Sequence, residues 1–296
     1  MFQIALIGVI CNWTVVYALL KWKSFKHSFG YLSANQAIGD AVHSTTFLIY
    51  FCPMVITDNT ILKTHAKHIG FLLFFCYELS VTTHFFISFN RFFAVFSPVR
   101  YKLWFTTART KYIIVFIWII TATLTIPSAE IYCNVDYDDK TGFLFFTHSP
   151  LCDAIGWYLD FCKNFVTIIG IMIIDIITVI KVRMINNKIR SSMDTEMSDR
   201  ISQREINFLR QTVFQGVIFT MELTTYFMLP PYLTSKWAIF FSTSFAWVSV
   251  HACDGIVTMI CNPEFKQHFA TCGRYADPYS VHPTQGSTHI TSQTER

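Results

Sequence analysis

The stretch from Ile69 to Phe96 reads IGFLLFFCYELSVTTHFFISFNRFFAVF, and only Glu78 and Arg91 within it are ionised at neutral pH. A helix rises about 1.5 Å per residue, so this run is longer than the roughly 30 Å hydrocarbon core of a bilayer requires. Comparable apolar blocks run from Phe2 to Leu20, Leu32 to Ile56, Tyr112 to Ala129, Ile155 to Ile180, Phe208 to Leu233 and Ala238 to Cys261. Isolated strands cannot satisfy their backbone polar groups in lipid, so the blocks are expected to be helices. The expected fold class is all-α, a seven-transmembrane helix bundle.

Composition agrees with that reading. Hydrophobic residues make up 52% of the chain and charged residues only 14%, with a mean hydropathy of +0.39; a soluble domain usually carries about 25% charged residues. The net charge of +4 is small, and it is scattered rather than gathered into the basic face that nucleic-acid binding needs. No Cys-x-x-Cys pair, His-Glu-x-x-His helix or glycine-rich phosphate loop occurs, and the histidines show no metal-ligand spacing, so an enzyme is not indicated.

Basic residues orient the bundle. Lys21, Lys23 and Lys26 lie in the first connection, Arg100, Lys102, Arg109 and Lys111 in the third, and Lys181, Arg183, Lys188, Arg190, Arg200 and Arg204 in the fifth. These loops are expected to be cytoplasmic, which puts the N-terminus outside. The first block lacks a basic leader and a small-residue cleavage site, and reads as a signal-anchor helix. The seven-transmembrane domain then covers residues 1–270, ending in a short amphipathic eighth helix from Glu264 to Phe269. Residues 271–296, rich in Ser, Thr, Gln, His and Pro, read as a disordered cytoplasmic tail.

Of the nine cysteines, those inside the spans read as small buried hydrophobes. Cys133 and Cys152 lie in the long outer loop, where a bridge between them would pin the loop over the bundle; Cys52 is the competing partner. Cys272 is a palmitoylation candidate or a free thiol. The sequon at Asn12 lies within a span and is not expected to carry a glycan.

Charged groups within spans point to function, because inserting one costs roughly 2.5 to 3.5 kcal/mol. Asp40, Glu78, Asp160, Asp175, Glu222 and Asp254 qualify. The bland alternative is that each bonds a neighbouring helix. Asp160 is the least telling, since Lys163 is spaced to pair with it. Glu78 lies 13 residues before Arg91, or about 20 Å up a helix. With Glu222, His251 and many aromatic residues, it suggests an apolar ligand cavity with a few polar anchors.

The segment His84-Phe-Phe-Ile-Ser-Phe-Asn-Arg-Phe-Phe-Ala-Val-Phe-Ser-Pro98, followed by Tyr101, resembles the third-helix signature of the nematode serpentine receptor class X chemoreceptors within the rhodopsin-like superfamily. The resemblance covers nearly the whole chain. Where the superfamily has an acid, an arginine and an aromatic, this chain has Asn90, Arg91 and Phe92, the segment that the resemblance implies for G-protein coupling. With the acid absent, a resting partner for Arg91 must come from elsewhere, and Glu205 is the candidate. Asn12, Asp40 and Trp118 resemble the first-, second- and fourth-helix positions. The region from Lys67 to Gly70 lacks the usual third-helix cysteine. In the last span Asp254-Gly-Ile-Val-Thr258 departs from the family element at both its proline and its tyrosine, and Asn262-Pro-Glu-Phe-Lys266 resembles the turn into the eighth helix.

If the superfamily geometry holds, Asp40, Ser80 and Asp254 converge on a pocket for a sodium ion or for water alone. The resemblance implies a G-protein-coupled chemosensory receptor at the plasma membrane, in a sensory neuron, whose partners are a small-molecule ligand and a heterotrimeric G protein. The rival readings are a seven-helix ligand-gated channel or ion-coupled transporter using the buried carboxylates, and a purely structural membrane scaffold.

Overall fold

A computed structural model describes residues 1–190, 195–262 and Phe265, with backbone alone for residues 143, 186, 189, 190 and 195–210. The expected eighth helix (Phe265 excepted), Cys272, the tail and the Glu205 side chain all lie outside the described residues.

The first helix, α1, spans Phe2–Lys21. The second, α2, spans Ser28–Thr46 and is capped by His27, whose Nδ1 accepts from Gly30 N. It continues through a wide turn at Phe47–Phe51 into Cys52–Thr57. Pro53 has no N–H to give the preceding turn, and that vacancy accommodates the widening. Helix α3 covers Ala66–Phe96 and stops at Ser97, since the residue before Pro98 is disfavoured in helical conformation. Helix α4 covers Thr107–Ile126, capped by the Thr106 hydroxyl, and runs into a second proline-led wide turn at Pro127–Ile131.

Between α4 and the fifth helix the chain forms an antiparallel hairpin, β1 at Val135–Asp138 with β2 at Phe143–Phe146, in the register Val135 to Phe146. Strand periodicity places Val135, Tyr137, Leu144 and Phe146 on one face, and all four pack into the bundle's main apolar cluster. Gly142 closes the turn at a φ of 72°, which favours glycine. The hairpin is a departure from the all-helical expectation, with strands too short to stand out from loop sequence.

The fifth helix, α5, covers Lys163–Arg190 and is entered through Pro150–Ala154 and a wide turn at Ile155–Cys162. The sixth, α6, runs over Thr195–Met228. The sequence reading carried it to Leu233, but Pro230 and Pro231 cannot continue a helix, and Pro230–Tyr232 is a short 3-10 turn. The seventh, α7, is assembled from Lys236–Phe240, a wide turn at Phe241–Phe245 and Ala246–Cys261.

Five of these segments are long and apolar enough to cross a membrane by length and composition. The others, α2 and α6, are more polar for different reasons. Helix α2 sits inside the bundle and buries Asn35, Gln36, Asp40, His43 and Ser44, whereas the first half of α6 is charged. The architecture is inside out relative to a soluble protein. Ile10, Ile49, Val115, Phe116, Ile119, Val166 and Met221 are exposed, while Asn12, Asp40, Asn90, Asp175 and Asp254 are buried. Polar side chains therefore join the helices. Trp118 Nε1 donates to Asn35 Oδ1 at 2.9 Å, and Asn35 Nδ2 donates to Thr83 Oγ1 at 2.8 Å, linking α4, α2 and α3.

The hairpin lies directly on α3 because Gly70 has no side chain. A Cβ added there would stand 2.2 Å from the Val135 carbonyl oxygen, whereas one added at Gly170 would meet nothing within 4 Å. Gly70→Ala should therefore lower the melting temperature of the purified protein, overpacking costing about 1–3 kcal/mol. Gly170→Ala should leave it unchanged or raise it, since alanine favours a helix by up to about 1 kcal/mol. Thermal unfolding of the two variants side by side checks this.

Candidate functional site

Three polar clusters are stacked along the bundle. At the end remote from the hairpin, Arg91 Nη1 donates to Asp175 Oδ1 at 3.2 Å and to Thr212 Oγ1 at 3.3 Å. Ser88, one helical turn before Arg91, donates to the other carboxylate oxygen of Asp175 at 2.8 Å. Arg91 is 7% exposed and Asp175 fully buried, so this junction ties α3 to both α5 and α6. The Asp175 carboxylate, which α5 points at α3, lies against the guanidinium; the side chain of Glu205, the partner expected from the sequence, lies outside the described residues. Asn90 faces elsewhere, as adjacent residues on a helix must. It donates to Ser28 Oγ at 2.9 Å, and Thr110 meets the same hydroxyl at 2.8 Å. Phe92 stacks on Phe96 at 4.4 Å.

Above Arg91 a narrow polar cavity, with room for about 30 Å³ of water centres, is lined by Asn12, Gln36, Asp40, His84, Gln215 and Asp254 among others and reaches down to Arg91 and Thr212. Asp40 Oδ1 accepts from Ser80 Oγ at 2.6 Å and lies 2.7 Å from His251 Nδ1. Gln36 holds Asp254 at 3.3 Å. Asp40, Ser80 and Asp254 thus share one region. His251, expected in the ligand cavity, instead serves this core; its ring lies 3.8 Å from that of His43, and Asn12 Nδ2 donates to its carbonyl oxygen.

The third cluster lies beneath the hairpin, where a small cavity is bounded by Phe74, Tyr77, Val135, Phe146, Asp160, Glu222, Leu223, Tyr226, Phe227 and Trp247. Glu222 lines it. Glu78 does not: it is buried against α5, ion-paired with Lys163 and accepting from Asn164 Nδ2 at 2.8 Å. Asp160, discounted in the sequence as a partner of Lys163, is 6% exposed and lines the cavity. The wide turn at Ile155–Cys162 accounts for both shifts. It breaks the helical spacing on which an Asp160–Lys163 pair depends, leaving Lys163 to Glu78 and Asp160 to the interior. Asn164, four residues after Asp160, bridges the two acids, donating to Asp160 Oδ1 at 2.9 Å; an asparagine within an apolar block was the signal in the sequence.

The hairpin is fastened over this cavity. Cys133 and Cys152 are joined by a disulfide, with Cα atoms 5.7 Å apart, and Cys52 is a free buried thiol. Tyr226 Oη donates to Leu144 O at 2.6 Å, and Ser244 Oγ to Gly142 O at 3.0 Å. Lys63 forms ion pairs with Asp58 and, at 2.6 Å, with Asp139 at the hairpin tip. Asp139 and Asp58 together hold the Lys63 ammonium above its ordinary range, so this clasp keeps its positive charge at neutral pH.

A sequence-family profile described as "Serpentine type 7TM GPCR chemoreceptor Srx" matches residues 2–262. This chain belongs to the Srx family. Two similar proteins, both from Caenorhabditis elegans, are Serpentine receptor class X 45, 29% identical over 282 residues (90% of this chain and 78% of that one), and Serpentine receptor class X-43, 24% identical over 269 residues (88% and 82%). The fold matches squid rhodopsin with a TM-score of 0.75 at 14% identity, covering 92% of this chain and 83% of that one.

The Srx chain is accordingly a seven-helix, receptor-type membrane protein, and its family is one of receptors rather than enzymes. The roof of its cavity is closed within the loop itself. With no cysteine in Lys67 to Gly70, the loop is closed on itself by Cys133–Cys152, and Gly70 meets the hairpin by backbone contact instead.

Removing one member of a buried ion pair costs about 3–5 kcal/mol because the other charge stays behind. Lys163→Met should destabilise this Srx protein by that order, and adding Glu78→Met should recover most of the loss. A double-mutant cycle on thermal unfolding measures the coupling.

Proposed function

We propose that this protein is a G-protein-coupled chemosensory receptor of the plasma membrane, acting in a sensory neuron. A small external ligand binds beneath the hairpin and shifts the helices so that a heterotrimeric G protein engages the Arg91 end. Loop charge supports the orientation, because Lys21, Lys23, Arg100, Lys102, Arg183 and Lys188 all fall at that end. The observation that carries the reading is the Arg91–Asp175–Thr212 junction. It fastens α3 to α5 and α6 at the end where a transducer would dock, and a buried pair held in one geometry makes a two-state element. Ligand binding need only favour the state in which the junction is open. Asn90, Arg91 and Phe92 then form part of the coupling surface.

The middle cluster connects the two ends. Asp40, Ser80, Asp254 and the Asn12 amide offer oxygen ligands of the kind hard cations prefer, and the cavity beside them is of a size for a sodium ion or one or two waters. An occupant there would hold α2 and α7 together in the resting state.

Purified receptor in nanodiscs with a G protein tests the reading through nucleotide exchange. Asp175→Asn should raise ligand-independent exchange by about 5- to 150-fold, the range of ordinary allosteric couplings. Arg91→Ala should abolish agonist-driven exchange. Unchanged exchange in both variants, or ion flux through the protein without G protein, would contradict the proposal and favour a channel or transporter.

A further inference from the structure

The cavity beneath the hairpin has acids at its wall without matching bases. Among the described residues three buried acids gather there, Glu78, Asp160 and Glu222. The nearby cation, Lys163, pairs with Glu78, and among the described residues no basic one lines the cavity. Asp160 receives the amide of Asn164. Glu222 is 5% exposed, and its Oε2 has no hydrogen-bond partner; the Tyr77 hydroxyl, 3% exposed and on the same cavity, also has none. A buried carboxylate oxygen and a buried hydroxyl left open toward one space mark a place where a donor is missing.

The rest of the wall is aromatic. The Tyr77 and Trp247 rings stand edge to face at 6.2 Å, Tyr226 and Trp247 at 6.3 Å, and Phe74 and Phe146 at 5.3 Å beneath the roof. Ring faces around a desolvated space attract cations, and a carboxylate beside them adds a counter-ion. An anionic ligand would meet two carboxylates and no compensating base. A neutral one would leave the charge uncompensated.

We infer that this cavity binds the ammonium group of a small organic amine, with Glu222 as its counter-ion, Asp160 and the Tyr77 hydroxyl as further acceptors, and the Tyr226 and Trp247 rings as its cage. The inference names the ligand class for the receptor proposed above and rests on that reading only for access from outside. With the hairpin shut the cavity has room for about 20 Å³ of water centres, enough for the head group alone. The body of the ligand must then displace Phe146 or the Tyr226–Leu144 tie. Both Tyr226 and Glu222 lie on α6, the helix whose Thr212 meets Arg91, so filling the cavity acts on the helix that the other end must release.

The test uses the full chain in nanodiscs, titrated with matched triads that share a carbon skeleton: phenethylamine, phenethyl alcohol and phenylacetic acid; butylamine, butanol and butyric acid; and tetramethylammonium alone. Binding is read by calorimetry and by thermal shift. The expected result is an ammonium member that binds at least about tenfold more tightly than its alcohol, with no binding of the acid. Glu222→Gln should remove that preference, while Trp247→Leu, which keeps the charge, should weaken ammonium binding without admitting the acid. Alcohols binding as well as amines would mean that the carboxyls simply carry protons, and would overturn the inference. Acids binding best, no ammonium preference in any triad, or a preference that survives Glu222→Gln would overturn it too. An amine that binds selectively without raising nucleotide exchange supports this site and counts against the receptor reading, so the two fail separately.

Discussion

A guanidinium and a carboxylate buried together at the end of a helix bundle restrict everything around them. Each charge alone would cost several kcal/mol to keep out of water, and their attraction compensates only if geometry and further hydrogen bonds are good. Ser88 and Thr212 add hydrogen bonds to the Arg91–Asp175 pair. Three helices must therefore converge at a fixed rotation: α3 to present Arg91 and Ser88 on one face, α5 to aim Asp175, and α6 to bring Thr212. The cost of uncoupling the pair makes the arrangement two-state rather than continuously deformable.

The same logic governs the levels above. Lipid gives helices no hydrophobic reason to associate, so packing and polar contacts between them carry the association. The Trp118–Asn35–Thr83 bridge, the Asp40–Ser80–His251 set and the Glu78–Lys163–Asn164 group each join different helices. Between the Asp40 set and Arg91 the polar cavity is continuous. Between the hairpin end and the Asp40 set the link is aromatic, with the Tyr77 ring 6.2 Å from that of Trp247 and 5.9 Å from that of His251.

The spans were legible because lipid imposes a length and an apolarity that any single sequence displays, and Arg91 was legible from its setting at the end of such a span. Partner choice was not. Asp175 reads in the sequence as one of six acids within the spans, and only the rotation of α5 shows that it meets Arg91. Asp160 and Lys163 have a spacing that pairs side chains on a regular helix, but the wide turn at Ile155–Cys162 breaks that regularity, and nothing in the residues there announces it. His251 looked like a pocket residue because histidine among aromatics suggests a ligand anchor; its placement depends on how α7 turns toward α2. The hairpin was hidden for a different reason: four-residue strands stabilised by a disulfide and by contact with Gly70 need little intrinsic strand propensity of their own. Asp40 with Ser80 came from resemblance to a known geometry rather than from spacing.

The central claim is that the Arg91–Asp175 pair holds α3 against α5. Pulsed electron resonance between spin labels at Phe96, the last residue of α3, and Met184 on α5, both exposed, in a background lacking reactive native cysteines, measures that relation directly. The account predicts a single narrow distance distribution for the parent protein and a broader or longer one for Asp175→Asn. An identical distribution in the two would contradict it.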